Sequence, residues 1–315
     1  SSRPFGVGHT SVEQNTGHAR VVPYIRLMER GKVDVRPISS ADADDVSRFL
    51  RDHLNPRVSL DAWKVLLSPP WNGESPNHGF QLVVDSEIVG AYVAVYSERD
   101  IDGVPRRFCN LAAFCVRDEH RSHSFRLVRA ILAQKGFEFT DFSPSGNVVA
   151  LNSRLGFTTL DTATGVVPNL PRLPRRGLTV SDDAAVIERT LVGQDARVYS
   201  DHRGAPAARH IVATADGEYC YLVVRRDRRK RLPLFVTPLY VGGSVELLRS
   251  AWPRVASHLL LRQGALATLA ERRILGFDPP LGYRLHTPRA KMLLSNRVSA
   301  DAVDYLYSEL TLLEW

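Results

Sequence analysis

Cysteine is scarce in this chain: Cys109, Cys115 and Cys220 are the only ones in 315 residues. They have no metal-ligand spacing, and an odd count does not suggest a disulfide framework. Cys109 and Cys115 fall in an apolar run and read as core thiols. Lysine is also rare, confined to Lys32, Lys64, Lys135, Lys230 and Lys291, so the net charge of +7 rests mostly on arginine spread along the chain. Dispersed arginine does not make the single basic face of a nucleic-acid binder, and nucleic acid is disfavoured as a partner. The run Arg225 to Arg231 is locally basic, yet no aromatic residue interleaves with it, and it reads as a solvated hairpin turn. The histidines are scattered; His120 and His123, three apart, read as loop residues, and no metal is expected. No apolar run approaches a membrane span, and residues 1 to 20 lack the apolar core of a signal peptide. The expectation is a cytoplasmic protein without a membrane partner.

What is present is ample apolar material, 44% of the residues, in a chain long for one domain. Residues 1–31 read as an N-terminal arm with a short structured lead-in over Val21 to Met28. Lys32 to Pro37 alternates as a strand. Ser39 or Ser40 caps a helix through Leu54, and a second helix runs from Leu60 to Leu67. Strands follow at Gly79 to Asp85 and Ile88 to Tyr96, joined by a hairpin. Residues 168–177, rich in proline and arginine, read as an extended connector. The domain expectation is therefore 32–170, a linker over 171–178, and 179–315. The second half reads as a helix from Ser181, strands at Tyr219 to Val224 and Leu234 to Val241, a helix over Ser244 to Arg262, and a short segment over Leu266 to Leu275. A last amphipathic helix is expected over Ala300 to Leu312, with Trp315 as an anchor.

The most informative stretch is Asn110-Leu-Ala-Ala-Phe-Cys-Val116, a polar turn through Arg121-Ser-His-Ser124, and then Phe125, Leu127, Val128, Ile131 and Leu132 at helical spacing. Strand, loop and helix follow in order, with the helix start near Arg121. A helix N-terminus carries unpaired N–H groups and partial positive charge, so it can hold a phosphate. Downstream, Phe137 to Phe142 alternates as a strand, and Val148 to Arg154 leads into Leu155-Gly156-Phe157, with a further strand over Phe157 to Val167.

These two segments resemble the two signatures of the GCN5-related N-acetyltransferase (GNAT) superfamily. The first is similar to its acyl-CoA motif, Arg/Gln-x-x-Gly-x-Gly/Ala after a strand ending in Val, here Val116 five residues before Arg121. The second is similar to the helix closing in Lys/Arg-Leu-Gly-Phe. Ser122 and Ser124 stand where small residues or glycine are usual, and Arg126 replaces the last Gly or Ala, where it either adds a phosphate contact or blocks the site. The resemblance implies an α/β fold on a mixed sheet, a GNAT domain in the first half. The element order of the second half suggests a GNAT-like copy without the cofactor motif.

The resemblance further implies acetyl-CoA or another acyl-CoA as co-substrate, held by Phe114, Cys115, Val116, Arg121, Ser122, His123, Ser124, Phe125 and Arg126. Asn152 occupies the place where many members carry a thiolate-protonating tyrosine, and Asn cannot donate a proton as a general acid. Tyr92, Tyr96, Glu98, Asn110 and His120 are the other catalytic candidates by placement. The expected function is direct acyl transfer to an amine of a small molecule by a monomer or homodimer, since no cysteine is placed as a nucleophile. The alternatives are a degenerate GNAT acting as a binding or assembly protein, or a transferase acting on an RNA-linked substrate.

Overall fold

The computed structural model describes residues 32–71, 73–229 and 232–314. The expected N-terminal arm and its lead-in, the tip of the basic turn and Trp315 lie outside them. In chain order the elements are β1 (Asp34–Pro37), α1 (Ala43–His53), α2 (Leu60–Leu67), β2 (Gly79–Val84), β3 (Glu87–Ile101) and β4 (Val104–Val116). Then come α3 (Ser124–Leu132), β5 (Phe137–Asp141), α4 (Gly146–Arg154), β6 (Thr158–Thr159), β7 (Thr164–Pro168) and β8 (Leu178–Ser181). The rest is α5 (Ala184–Thr190), α6 (Gly193–His202), β9 (Arg209–Ala215), β10 (Glu218–Arg229), β11 (Leu232–Gly243) and α7 (Val245–Gln263). It closes with β12 (Ala267–Glu271), α8 (Arg272–Leu275), β13 (Tyr283–Arg284), β14 (Met292–Leu294) and α9 (Glu309–Leu312). Among the described residues no helix is long and apolar enough to cross a membrane.

The strands form two seven-stranded mixed sheets, β1-β2-β3-β4-β5-β14-β6 and β13-β7-β12-β11-β10-β9-β8. Each is antiparallel except for one parallel pair, β4 with β5 and β11 with β12. The longest hairpin, β3–β4, turns at Asp102 and Gly103, both at positive φ (54° and 78°), as tight hairpins of right-handed twist require. Asp216 and Gly217 do the same for β9–β10 (51° and 80°). The α/β class is as expected, and the second half repeats the first.

The halves also exchange strands. The stretch expected as one strand over Phe157 to Val167 divides: β6 stays on the first sheet, while β7 pairs with β12 in the second. In return β14, from far downstream, inserts between β5 and β6. The sheets thereby frame a shared apolar core. Ala91, Val93 and Val95 enter it from the first sheet, Tyr221, Val223 and Leu239 from the second. Between them runs the C-terminal segment from Val303 to Leu313.

That segment corrects the expected helix over Ala300 to Leu312. Only a 3₁₀ turn at Ala300–Ala302 and the single turn of α9 are helical. Buried on several sides, it follows the space between sheets rather than a helical stripe. The remaining cores are one-sided: α3 covers one face of the first sheet through Leu127, Val128 and Ile131, and α7 covers the second through Leu248, Val255 and Leu259.

Candidate active site

The ladder between β4 and β5 ends at Asn110 and Thr140, while β4 continues to Val116. Beyond that point the strands part, leaving one edge of β4 without a ladder partner among the described residues. The register of β3 against β4 jumps from Val93–Ala113 to Ala94–Leu111, so Ala112 is a bulge at the mouth of the fork. A cleft of about 270 Å³ occupies it, lined by Ala112, Ala113, Phe114, Tyr92, Asp141 and Val148 among others.

Asp141 is the charged side chain in that lining. It stands at the end of β5, 4% exposed, and accepts hydrogen bonds from the Asn152 amide (2.9 Å) and the Ser143 backbone N–H (3.3 Å). Burial, and next the negative charge of Glu309, raise its carboxyl to about 7. Glu309, 0% exposed on α9, accepts from the Asn110 amide (2.5 Å) and the Ser143 hydroxyl (2.6 Å). Its own carboxyl is raised by burial. Replacing Glu309 by Gln removes the like charge, and the Asp141 carboxyl should titrate at lower pH, as carboxyl NMR reads; an unmoved titration would show that Glu309 exerts no such effect.

No family model matches the sequence and no curated protein matches it. Solved structures do. A GCN5-related N-acetyltransferase from Anabaena variabilis superposes with a TM-score of 0.55 at 11% identity, over 83% of this chain and 72% of that one. One from Kribbella flavida gives 0.51 at 14%, over 84% and 71%. A GCN5-related glucosamine N-acetyltransferase region of a fungal multi-domain β-N-acetylglucosaminidase gives 0.55 at 13%, over 85% and 38%. The chain has the GNAT fold.

In this GNAT fold the segment through Arg121 departs from the sequence expectation of a phosphate-holding helix start. Helix does not begin at Arg121: Asp118–His123 is a 3₁₀ helix running straight into α3. The N–H groups of His120 and Ser124 are spent on the carbonyls of Arg117 and Arg121. The first turn instead carries Asp118 and Glu119, whose negative charge suits its N-terminus and opposes a phosphate there. Arg121 is exposed and pairs with Asp118 at 2.9 Å. Ser122, His123 and Ser124 lie along the same turn, and Phe125 is 51% exposed. Arg126 turns away and donates to the Val33 carbonyl (2.7 Å), so its guanidinium does not fill the loop.

The other expected residues separate by place. Phe114 lines the cleft and packs edge-on against Tyr92, ring centroids 4.7 Å apart. Cys115 and Val116 continue the open edge, the Cys115 thiol raised to about 11 by burial. Asn110 sits at the root of the fork and also accepts from Thr140 Oγ1 (3.0 Å). Asn152 orients Asp141 rather than replacing an acid. Burial, then Asp141, raises the Tyr92 phenol well above its ordinary range. Tyr96 is not brought in: it donates to Asn77 (2.8 Å) and packs on Phe137, on the α3 side. Glu98 is exposed opposite Arg107, and His120 stays in the 3₁₀ turn.

Asp141 and Glu309 were missed by sequence reasoning. Asp141 left a trace: it alternates with Phe137 and Phe139, an acid in a core series at the carboxyl end of a parallel strand, where α/β sheets place ligands. Glu309 left none, since its burial depends on the path of the whole C-terminal segment.

Proposed function

We propose that the protein is an acyl-CoA-dependent N-acyltransferase that passes the acyl group directly to an amine of a small molecule, with Asp141 as general base. The observation that carries this reading is a buried carboxyl poised near neutral pH at the open fork of the sheet. The partnerless edge of β4 offers main-chain donors and acceptors to the amides of a pantetheine arm. Its N–H groups around the Ala112 bulge suit the oxyanion that forms when the amine nitrogen attacks the thioester carbonyl. The ammonium proton passes to Asp141, the carbon–sulfur bond breaks, and the thiolate takes up a proton. Ser143, bonded to Glu309 beside Asp141, offers that proton a route back.

Cleft and strand edge fit the arm of the co-substrate better than the 3₁₀ turn fits its phosphates. Affinity therefore rests on the fork, with Arg121 adding a screened, exposed contact. Acetyl-CoA and longer acyl-CoAs should raise the melting temperature of the wild type, and Arg121→Ala should lower affinity by less than about tenfold, the scale of an exposed ion pair. Calorimetric titration with acetyl-CoA, a long-chain acyl-CoA and free CoA checks both, and the best binder names the donor.

A second reading is favoured by Asp118 and Glu119 at the loop: a binding or assembly protein on a GNAT frame. It stands if no CoA species binds. The RNA-linked reading is weakened only at Arg225, which is 2% exposed; Arg226 is exposed while donating to the Gln263 carbonyl, and Arg228 is exposed as a solvated hairpin would have it.

A further inference from the structure

In the second sheet β11 and β12 also part, their parallel ladder covering only Phe235–Ala267 and Val236–Thr268. The register of β10 against β11 jumps so that Leu239 is a bulge, as Ala112 is in the first. Here the chain fills its own fork: the Tyr305 backbone N–H donates to the Leu239 carbonyl (3.1 Å). What is left is a chamber of about 50 Å³, walled by Phe142, Ser143, Arg225, Asp227, Glu271 and Lys291 among others. It has room for a few water-sized groups and none for a coenzyme.

Most of the charges facing this chamber are paired directly. Asp227 is matched by Arg289 at 3.3 Å and accepts from Thr237 (3.1 Å). Glu271 is matched by Lys291 at 2.6 Å, accepts from the Tyr305 hydroxyl, and has Arg273 at 3.6 Å. Arg225 remains. Its Nη1 has no hydrogen-bond partner among the described residues. Its other donors reach only the Arg226 and Leu313 carbonyls, each at 3.3 Å. Glu309, the next acid, is engaged with Asn110 and Ser143. A guanidinium does not shed its proton; Asp227, Glu309 and Glu314 act on this one through space, yet none of them meets Nη1, which is left desolvated without a hydrogen bond.

We propose that the chamber binds a monovalent anion of halide size on Arg225, held between the two sheets. The inference stands on this chamber alone and does not depend on the transferase reading. A fixed positive charge with an unpartnered donor suits a weakly hydrated anion better than a neutral water.

The full chain is exchanged from sodium gluconate into sodium bromide at equal ionic strength, and crystals are grown in bromide. Expected are a saturable rise in melting temperature on the order of 5 °C in bromide over gluconate and an anomalous bromide peak beside Arg225 Nη1. In Arg225→Met the bromide increment should vanish. A chamber without an anomalous peak overturns the proposal, whatever the melting curves show, as does an Arg225→Met variant that keeps the increment. Should that variant fail to fold, the diffraction measurement on the wild type decides alone.

Discussion

Asp141→Asn is expected to lower kcat by about 10²- to 10⁴-fold, the range for losing a positioned general base, or roughly 3–5 kcal/mol of barrier. Affinity for acyl-CoA should be retained, since the amide keeps the size of the carboxyl and the fork is untouched. In the wild type kcat should rise with pH through about 7, because the reacting form is the deprotonated one and burial, followed by Glu309, holds it at that value. In the Asp141→Asn variant that limb should be absent.

Stability should move the other way. A carboxyl raised in the fold costs stability above its folded value, and the cost is relieved as pH falls toward its unfolded value of 3.8. The amide variant should therefore melt higher than the wild type above pH 7, and the difference should shrink as the pH approaches 3.8. Equal melting curves in mildly alkaline buffer, with activity intact, would remove Asp141 from both roles.

The second large effect concerns the chain end. Deleting 303–315 is expected to abolish cooperative folding rather than merely trim a terminus. Val303, Tyr305, Leu306, Tyr307, Leu310, Leu312 and Leu313 are all buried. At about 1.5–3 kcal/mol per buried side chain, the loss is on the order of 10 kcal/mol, comparable with a whole protein's stability of about 5–15 kcal/mol. Urea unfolding followed by far-UV circular dichroism is the check; a cooperative transition with an unchanged midpoint would show the segment to be dispensable.

Local signals carried most of the first half. Ser59 caps α2 by accepting from the Ala62 N–H, and the helix spans the expected residues. The apolar period of α3 and the alternation of β5 placed those elements closely. Signals that were present but unread account for β9: Asp216-Gly217 is a strong hairpin dipeptide, and a turn there requires a strand before Glu218. The same dipeptide, Asp102-Gly103, makes the turn between β3 and β4. The loop misled for a different reason. Resemblance to a glycine-bearing motif implied free amides, whereas the segment through Ser122, His123 and Ser124 is helical, and the Ser124 N–H is spent within the turn. The acid pair was hidden by distance, as Glu309 meets Asn110 across 199 positions of sequence.

The exchange of β7 and β14 has a consequence for how the chain is made. β5, already paired with β4, lacks its second neighbour until Met292, far downstream of Asp141, has been synthesised. At translation rates of about 5–20 residues per second, an edge of phenylalanine-rich strand waits on the order of ten seconds, open to pairing with another chain. Neither half can complete its sheet alone, so cutting the connector over 171–178 should yield two fragments that recover structure only when mixed. The first sheet is thus completed by a strand that the second half supplies.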